Sequence, residues 1–360
     1  MWIILLFDCN KKELIFTSYE RRELNNISLV GFGRIGRDLF RQSINKNNIN
    51  IVSVSDVADK DNLVYLLKYD SIYGPLKAEV IETDAGISVN NKETIFNNWK
   101  NAEQSNWKSI NTDIVVLATG KQQDSKEALK HLDKGAKKII IASTPKDMED
   151  VDIFVPGAND EHIDFSKSII SLGSNTANAS APVIKVLNDA IGVERVFINT
   201  IHGYSNSNRL ADVAGEGFRQ NRAAGENIIP SETSSSIVIE KVLPFLKDKI
   251  TSSSMTVPVP DGSIVDLTID LKNKSSAEKV NKIIEENLSS VFISERIGIT
   301  YDPIVSSDVV GNSLSGLIDG QSTMDIGGRK IKILIWFDNG WGYSSRILET
   351  IDIYQKKDSK

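Results

Sequence analysis

A glycine-rich motif near the start of the chain restricts the fold more than any other feature. The motif reads Gly31-Phe32-Gly33-Arg34-Ile35-Gly36. It follows a short apolar run, Ile27 to Val30, and opens a helical pattern through Leu39 and Ile44. In such a setting the first glycine makes a tight turn, the second lets the backbone approach a pyrophosphate, and the third lets helix and strand pack closely. The pattern predicts a Rossmann dinucleotide-binding unit whose helix N-terminus faces the phosphates.

An acidic residue indicates which dinucleotide the motif binds. Asp56 lies twenty positions after Gly36 and follows a second apolar, β-branched run, Ile49 to Val54. A carboxylate there accepts hydrogen bonds from the adenosine ribose and repels a 2′-phosphate, which favours NAD over NADP. The alternative is a glycine-rich turn beside an unrelated surface aspartate. That alternative leaves the register of strand, motif, helix and acid unexplained.

Strand and helix patterns alternate through the first half of the chain and then change character. As far as about residue 174 the alternation predicts a parallel sheet with helices on both faces. Later runs alternate in polarity between turns, which suits a larger, mixed and largely antiparallel sheet. We therefore expect an α/β protein. Its parts are an N-terminal extension (1–26, a strand or a poorly ordered segment), a Rossmann domain (27–174), a second domain (175–338) and a last helix (339–360).

Composition argues against several classes of function. A formal net charge of −6 gives no indication of a nucleic-acid or anionic-membrane partner. No run approaches the roughly 18 apolar residues of a membrane span, and residues 1–7 lack the marks of a secretory signal. Cys9 is the only cysteine, which fits a reducing compartment, and three histidines are too few and scattered for a zinc site. We expect a cytoplasmic protein without a metal.

Further motifs occur in the order and spacing of one enzyme family. They are Tyr69-Asp70-Ser71-Ile72-Tyr73-Gly74, Ala118-Thr119-Gly120, Asn227-Ile228-Ile229-Pro230, Asp302-Pro303-Ile304-Val305-Ser306-Ser307-Asp308 and Trp336-Phe337-Asp338-Asn339-Gly340-Trp341-Gly342-Tyr343-Ser344. Together with the glycine motif they cover roughly residues 27–355. Over this length the chain resembles the glyceraldehyde-3-phosphate dehydrogenases.

The resemblance implies a fold and a set of cofactor contacts. The fold is a Rossmann domain, a mixed-sheet catalytic domain and a C-terminal helix that returns to the first domain. Beyond the glycine motif and the acidic residue, the cofactor site implied is Thr119, Gly120, Asn339 and Tyr343, with Asn339 holding the nicotinamide carboxamide. The family is usually tetrameric, which implies a homo-oligomer, a tetramer or a dimer. The polar stretch 203–227 corresponds to the family's S-shaped loop, near a neighbour's cofactor site.

The catalytic segment departs from the family's pattern. The family reads Ser-Cys-Thr-Thr-Asn-Cys before the first helix of the catalytic domain. This chain reads Ser174-Asn175-Thr176-Ala177-Asn178-Ala179. Asn175 stands where the nucleophile is expected, and a carboxamide cannot form a thiohemiacetal or a thioester. We expect ordinary phosphorylating activity to be absent, and Asn175 to donate a hydrogen bond to the reacting oxygen instead.

One histidine matches the family's general base. His202 ends a predicted strand, Val196 to Ile201, whereas His131 and His162 lie in polar stretches. A lone histidine at a strand end is more often structural, but the resemblance favours a catalytic role here. An imidazole can take or return a proton near neutral pH.

The resemblance also implies anion-binding hydroxyl groups. The residues are Ser174, Thr176, Thr233 and Ser234 for an inorganic-phosphate pocket, and Ser205 and Ser207 for a substrate phosphate. Ser234 occupies a position where the family has glycine. These hydroxyl groups favour a small, phosphorylated substrate.

A positive charge expected beside them is missing. The family has an arginine just before Val257-Pro258, and this chain has Thr256. A threonine cannot supply the bidentate, charge-assisted contacts of a guanidinium group. Loop residues that can compensate are Arg209, Arg219 and Arg222.

Two functions remain open at this point. One is an NAD-dependent oxidoreductase that acts, without a covalent intermediate, on the aldehyde, oxo or hydroxyl group of its substrate. The other is a catalytically inactive NAD-binding paralogue with a regulatory or assembly role. Loss of the nucleophile and of the arginine favours the second, and retention of His202 and Asn339 favours the first.

Overall fold

The computed structural model describes residues 3–8, 13–18, 25–215 and 217–358. Its strands are β1 (Ile3–Asp8), β2 (Glu13–Ser18), β3 (Asn25–Val30), β4 (Ile49–Ser55), β5 (Val80–Glu82), β6 (Gly86–Val89), β7 (Lys92–Asn97), β8 (Ile114–Leu117), β9 (Lys138–Ile141), β10 (Asp152–Ile153), β11 (Ile169–Ser171), β12 (Val193–Gly203), β13 (Ile229–Ser231), β14 (Ile250–Val257), β15 (Ser263–Leu271), β16 (Ile297–Thr300), β17 (Gly316–Asp319), β18 (Met324–Ile326) and β19 (Lys330–Phe337).

The α-helices alternate with the first strands and cluster among the later ones. They are α1 (Arg34–Ser43), α2 (Lys60–Lys68), α3 (Ser125–Asp133), α4 (Asn175–Ile191), α5 (Ser235–Val242), α6 (Ala277–Asn287), α7 (Val291–Ser294) and α8 (Trp341–Asp358). No helix in the described ranges is long and apolar enough to cross a membrane.

The expected N-terminal extension is described only in part. Strands β1 and β2 pair antiparallel and form a separate two-stranded sheet. Residues 1–2, 9–12 and 19–24 lie outside the described residues, and so does Cys9. The first strand of the main body, β3, begins at Asn25, before the apolar run that predicts it. Asn26 extends the strand because its side chain bonds to Asn50 and its main-chain N–H to Asp113.

The first large sheet is the predicted Rossmann sheet. Its strand order is β10-β11-β9-β8-β3-β4-β7-β6-β5, and the pairs from β10 to β7 are parallel. Strands β5 and β6 add an antiparallel edge. Val30 pairs with both Ser55 and Leu117, so strands β3, β4 and β8 end at the same edge. The glycine motif, Asp56 and Thr119 therefore meet at one place, as parallel topology requires.

The second large sheet is mixed and largely antiparallel, which confirms the predicted fold class. Its order is β13-β14-β12-β15-β19-β17-β16, with β18 beside β19, and only β12/β14 and β16/β17 are parallel. Buried and half-buried residues alternate along β15 and β19, so one face lies in a core formed with helices α4, α5 and α6. Half-exposed apolar side chains follow on the other face, among them Ile201, Met255, Ile264 and Trp336.

The last helix packs against the first sheet rather than the second. Tyr343, Ile347 and Ile351 of α8 are buried in the same core as β3, β4 and α1. Gln42 of α1 donates to the carbonyl of Trp341 at 2.9 Å. Because α8 follows β19 directly, the turn between them, residues 338–340, lies between the two sheets.

Candidate active site

The glycine motif forms a cradle that fits a pyrophosphate. Gly31 has a φ of +95°, and a Cβ there would lie 2.5 Å from the carbonyl oxygen of Ala118. A Cβ at Gly36 would lie 2.3 Å from the carbonyl oxygen of Gly31, whereas a Cβ at Gly33 would meet nothing within 4 Å. Gly33 also caps α1 without any side-chain hydrogen bond to the first turn. The open backbone and the uncapped helix N-terminus match the donors that a pyrophosphate needs.

Asp56 lies beside this cradle in a fixed orientation. One carboxylate oxygen accepts from the main-chain N–H of Phe32 at 2.7 Å and the other from Ala58 at 2.9 Å. Each oxygen keeps a lone pair for a ribose hydroxyl. The carboxylate borders a cleft of about 410 Å³ that Gly33 and Thr119 also line. This arrangement fits the adenosine half of a dinucleotide.

The side chains of several predicted cofactor residues are engaged within the protein. The ring of Phe32 is buried and packs edge-on against Phe40 and Phe96. The guanidinium of Arg34 pairs with Asp70 at 2.6 Å. The phenol of Tyr343 is buried and donates to the carbonyl of Gly173 at 2.9 Å.

Trp99 and Asn101 line the cleft beside Asp56, although no motif in the sequence predicts that they do. They follow β7 in a stretch without a recognisable motif, so only the fold brings them there. Gly120, by contrast, follows Thr119 directly at the end of β8, with a φ of +72°.

A second cavity, of about 240 Å³, lies where the two sheets meet. Ile35 and Tyr343 line it, together with Ser174, Asn175 and Asn339, which lie where the chain passes from one sheet to the other. Helix α4 begins at Asn175 and the turn before α8 carries Asn339, so both amide side chains lie at element ends. Its lining includes Asn339, the residue that the family resemblance assigns to the nicotinamide carboxamide.

His202 contacts Asn175, one of the residues that line this cavity. Its Nδ1 lies 2.6 Å from the carbonyl oxygen of Gly203, and since a carbonyl only accepts, Nδ1 carries the proton. Its Nε2 therefore carries the lone pair, which accepts from Nδ2 of Asn175 at 3.3 Å. Burial lowers the pKa of His202, against smaller opposing effects of Gly203 and Asp261. The imidazole is thus uncharged near neutral pH.

The amide of Asn175 is fully used within the protein. Its Nδ2 donates to His202 and to the carbonyl oxygen of Asn339, the latter at 3.0 Å. Its Oδ1 accepts from the main-chain N–H of Thr176 at 2.8 Å. A primary amide has only two N–H donors, so neither is free for a substrate oxygen in this state. The expectation that Asn175 donates directly to the reacting oxygen therefore needs one of these bonds to open first.

A cluster of hydroxyl groups joins two helix N-termini near the cavity. Ser174 caps α4 by accepting from Ala177, and its Oγ lies 3.4 Å from the Oγ of Ser235 at the start of α5. Ser235 in turn lies 2.9 Å from the hydroxyl of Thr233. Ser234 donates to Thr144 at 3.4 Å. The sequence did not single out Thr144 and Ser235, because serine and threonine are too common to mark a site alone.

The remaining predicted anion-binding residues are placed less favourably. Thr176 is buried on the first turn of α4. Ser205 and Ser207 follow β12 and lie 2.9 Å apart, oxygen to oxygen, in an exposed loop. Both follow His202 in the chain by no more than five residues.

No positive side chain joins this cluster among the described contacts. Thr256 is buried, with its hydroxyl 3.1 Å from that of Ser231. Arg222 pairs with Asp212 at 3.0 Å, and Arg209 and Arg219 are exposed. The compensation expected from these arginines is not made in this arrangement, because the loop directs them to solvent and to its own carboxylate.

The glycine cradle, the carboxylate beside it and the histidine at the junction of the two sheets are the features of a Rossmann-fold, NAD-binding oxidoreductase. Comparison with known proteins makes this specific. Residues 25–125 match the family described as glyceraldehyde 3-phosphate dehydrogenase, NAD binding domain, and residues 174–339 match its C-terminal domain.

Curated relatives match over nearly the whole chain. Glyceraldehyde-3-phosphate dehydrogenase of Priestia megaterium is 39% identical over 324 residues, which cover 90% of this chain and 96% of the relative. Glyceraldehyde-3-phosphate dehydrogenase 1 of Bacillus subtilis is 38% identical over 332 residues (92% and 98%), and the Geobacillus stearothermophilus protein 38% over 323 residues (90% and 96%). The chain belongs to the glyceraldehyde-3-phosphate dehydrogenase family, and its cofactor is NAD.

Proposed function

We propose that this chain is an NAD-dependent oxidoreductase that works without a cysteine thioester. Its substrate is a small, phosphorylated compound that reacts at an aldehyde, oxo or hydroxyl group. The observation that carries the proposal is the pair of His202 and Asn175 beside Asn339. A base with a defined lone pair next to the nicotinamide position is what hydride transfer from an alcohol or a hydrated aldehyde needs.

The chain's own residues account for the proton. NAD, when bound, would supply the acceptor for the hydride that leaves the substrate carbon as its C–H bond breaks. The substrate O–H bond breaks as its proton moves to Nε2 of His202 and displaces the Asn175 N–H from that lone pair. The electron pair of the O–H bond then forms the second bond of the carbonyl. Protonated Nε2 no longer accepts from Asn175, so that N–H is released and can donate to the new carbonyl oxygen. Asn175 then stabilises the product oxygen only after the base has acted.

The hydroxyl cluster supports an anionic substrate. Ser174, Thr233 and Ser235 lie at the N-termini of α4 and α5, where main-chain N–H groups and the helix dipoles favour negative charge. Without a guanidinium group among the described contacts, we propose that neutral donors hold the phosphate.

Further proposals concern the assembly. We propose that residues 27–174, with the helix 339–360, and residues 175–338 are the two domains, and that the protein acts in the cytoplasm. Half-exposed apolar residues on the outer face of the second sheet, such as Met255 and Trp336, support a homo-oligomer, a tetramer or a dimer.

The second candidate is an inactive NAD-binding paralogue with a regulatory or assembly role. Asn175 favours it, because an amide whose donors are all used within the protein is also what a purely structural residue shows. The same amide holds the imidazole of His202 in a fixed orientation, and for this reason we prefer the active oxidoreductase.

The deciding experiment compares the wild-type protein with His202→Ala. Reduced nicotinamide is followed by fluorescence, first with glyceraldehyde 3-phosphate with and without phosphate, then with phosphorylated aldehydes, ketones and alcohols. We expect turnover with a member of this panel, and a loss of about 10²–10⁴-fold in His202→Ala with unchanged NAD binding. The matched control is His162→Ala, since His162 is exposed and is not among the residues that line the cavity.

Three results would change the assignment. A fully active His202→Ala protein would end this mechanism. NAD binding without turnover across the panel would support the inactive paralogue. Phosphate-dependent turnover of glyceraldehyde 3-phosphate would require a route that we exclude on the chemistry of Asn175.

A further inference from the structure

We propose that Ser263 is a positioning residue that fixes the amide of Asn339, so that its N–H groups face the nicotinamide. The inference rests on the proposed function in one respect, that Asn339 contacts the nicotinamide carboxamide. It adds the reason why the amide presents its donor side rather than its acceptor side.

The argument starts from the single proton of the Ser263 hydroxyl. The main-chain N–H of Gly203 donates to Oγ of Ser263 at 3.0 Å. Because that N–H can only donate, the hydroxyl proton is available for a different partner. It is donated to Oδ1 of Asn339, with which Oγ is in close hydrogen-bond contact. One serine thus distinguishes the two ends of a carboxamide that are otherwise nearly the same in shape.

The orientation leaves Nδ2 of Asn339 without an acceptor among the described residues. Its Oδ1 is held by Ser263, and its main-chain oxygen accepts from Asn175. Asn339 also lines the cavity at the domain junction. The two N–H groups are therefore the donors that the site offers to a carboxamide oxygen.

Close packing holds Ser263 and Asn339 against the end of β12. A Cβ at Gly203 would lie 2.9 Å from Nδ2 of Asn339 and 2.8 Å from the carbonyl oxygen of Val259. Only a glycine leaves room for the amide against the end of β12. His202 donates to the carbonyl of the same Gly203, so one residue links the base to the cofactor amide.

The backbone before Ser263 fixes the other side of Asn339. Asp261 accepts the main-chain N–H of Asn339 at 3.0 Å. Gly262 has a φ of +82°, and a Cβ there would lie 2.0 Å from the carbonyl oxygen of Ser306. Ser263 itself is buried and pairs with Phe337 at the end of β19. The turn 261–263 therefore holds both the main chain and the side chain of Asn339.

The test measures binding rather than turnover, with NAD and with ADP-ribose, which lacks the nicotinamide. We expect Ser263→Ala to weaken NAD binding about fivefold to tenfold, because the amide is then free to rotate, and to leave ADP-ribose binding unchanged. Asn339→Ala should show the same pattern. In the double variant the two losses should not add, since both act through one contact. Ser253→Ala, which removes a serine hydroxyl bonded to Asn199 on the neighbouring strands, is the control.

Three results of these binding measurements would overturn the proposal. Equal losses for NAD and ADP-ribose would show general damage to the site, and additive losses would show independent roles. Unchanged NAD binding in Asn339→Ala would remove the contact on which the inference rests. Absence of turnover with intact selective binding would instead contradict only the proposed function.

Discussion

At the scale of single residues, the Asn175 amide acts on its neighbour before it acts on a substrate. It donates to His202 and so favours the neutral imidazole, in the same direction as burial. A side chain that accepts instead would reverse this preference. The residue at position 175 therefore adds to burial in favouring the uncharged imidazole.

This leads to a prediction for Asn175→Asp, which changes the charge and little else in shape. The carboxylate accepts from the imidazolium, so the pKa of His202 should rise from below its ordinary value of about 6.5 to above it. NMR titration of the imidazole resonances measures the pKa of His202 in the wild-type protein and in the variant. An unchanged or lower pKa for His202 would show that the amide does not control the base.

The sequence could predict some of these residues and not others. The family resemblance singled out His202, Asn175 and Asn339, because each aligns with a functional position of the family, and the structure brings them into contact. The use of both N–H groups of Asn175, and the part of Ser263, could not be read from it. Hydrogen-bond roles depend on which atoms the folded chain brings within reach, and a lone serine carries no pattern.

At the scale of elements, strong periodicity gave accurate strand and helix boundaries. The alternating runs Ser263 to Leu271 and Lys330 to Phe337 predict strands, and they coincide with β15 and β19. The helical pattern from Asn175 to Ala190 predicts α4, which ends one residue later. The run Val151 to Val155 predicts a strand, but β10 contains only Asp152 and Ile153. This strand lies at the sheet edge, and the chain turns away at Gly157, whose φ is +88°. Short edge strands such as β5 carry too few residues for a period to appear.

The turn between β3 and α1 gives an element-scale prediction with a matched pair of variants. Gly36→Ala should prevent stable folding, because its Cβ would lie 2.3 Å from the carbonyl oxygen of Gly31. Gly33→Ala should fold normally, since its Cβ meets nothing within 4 Å, but should bind NAD more weakly because the methyl group occupies the approach to the helix. Thermal unfolding and NAD titration separate the two. Normal stability of Gly36→Ala, or full affinity of Gly33→Ala, would contradict this account.

At the scale of the whole molecule, a buried acid lies between the two sheets. Asp38 of α1 is fully buried, and neither carboxylate oxygen has a hydrogen-bond partner among the described residues. A Cβ at Gly340, in the turn before α8, would lie 2.4 Å from one of them. Burial raises the pKa of Asp38 well above its ordinary value; Asp338 and Asp70 add to this, and Arg34 and Arg37 oppose it.

The contribution of Asp38 to the free energy of unfolding should therefore fall as the pH rises. Above the unfolded-state pKa of about 3.9, the folded protein holds a proton on Asp38 that the unfolded chain has released, so rising pH favours unfolding until the folded-state pKa is passed. Asp38→Asn removes this effect, and its gain in melting temperature should be small near pH 4 and larger near pH 8. The exposed Asp133→Asn variant is the control. A gain that is constant or shrinks with pH would show that Asp38 is ionised at little cost.

The position of α8 has a consequence for how the chain matures on the ribosome. The core of the first sheet, which residues 25–171 build, contains Tyr343, Ile347 and Ile351. That core cannot close while the last helix is still unsynthesised, although its strands are complete about half a chain earlier. The apolar surface that α8 covers therefore stays exposed through most of translation. During that time the nascent chain is open to aggregation through this surface.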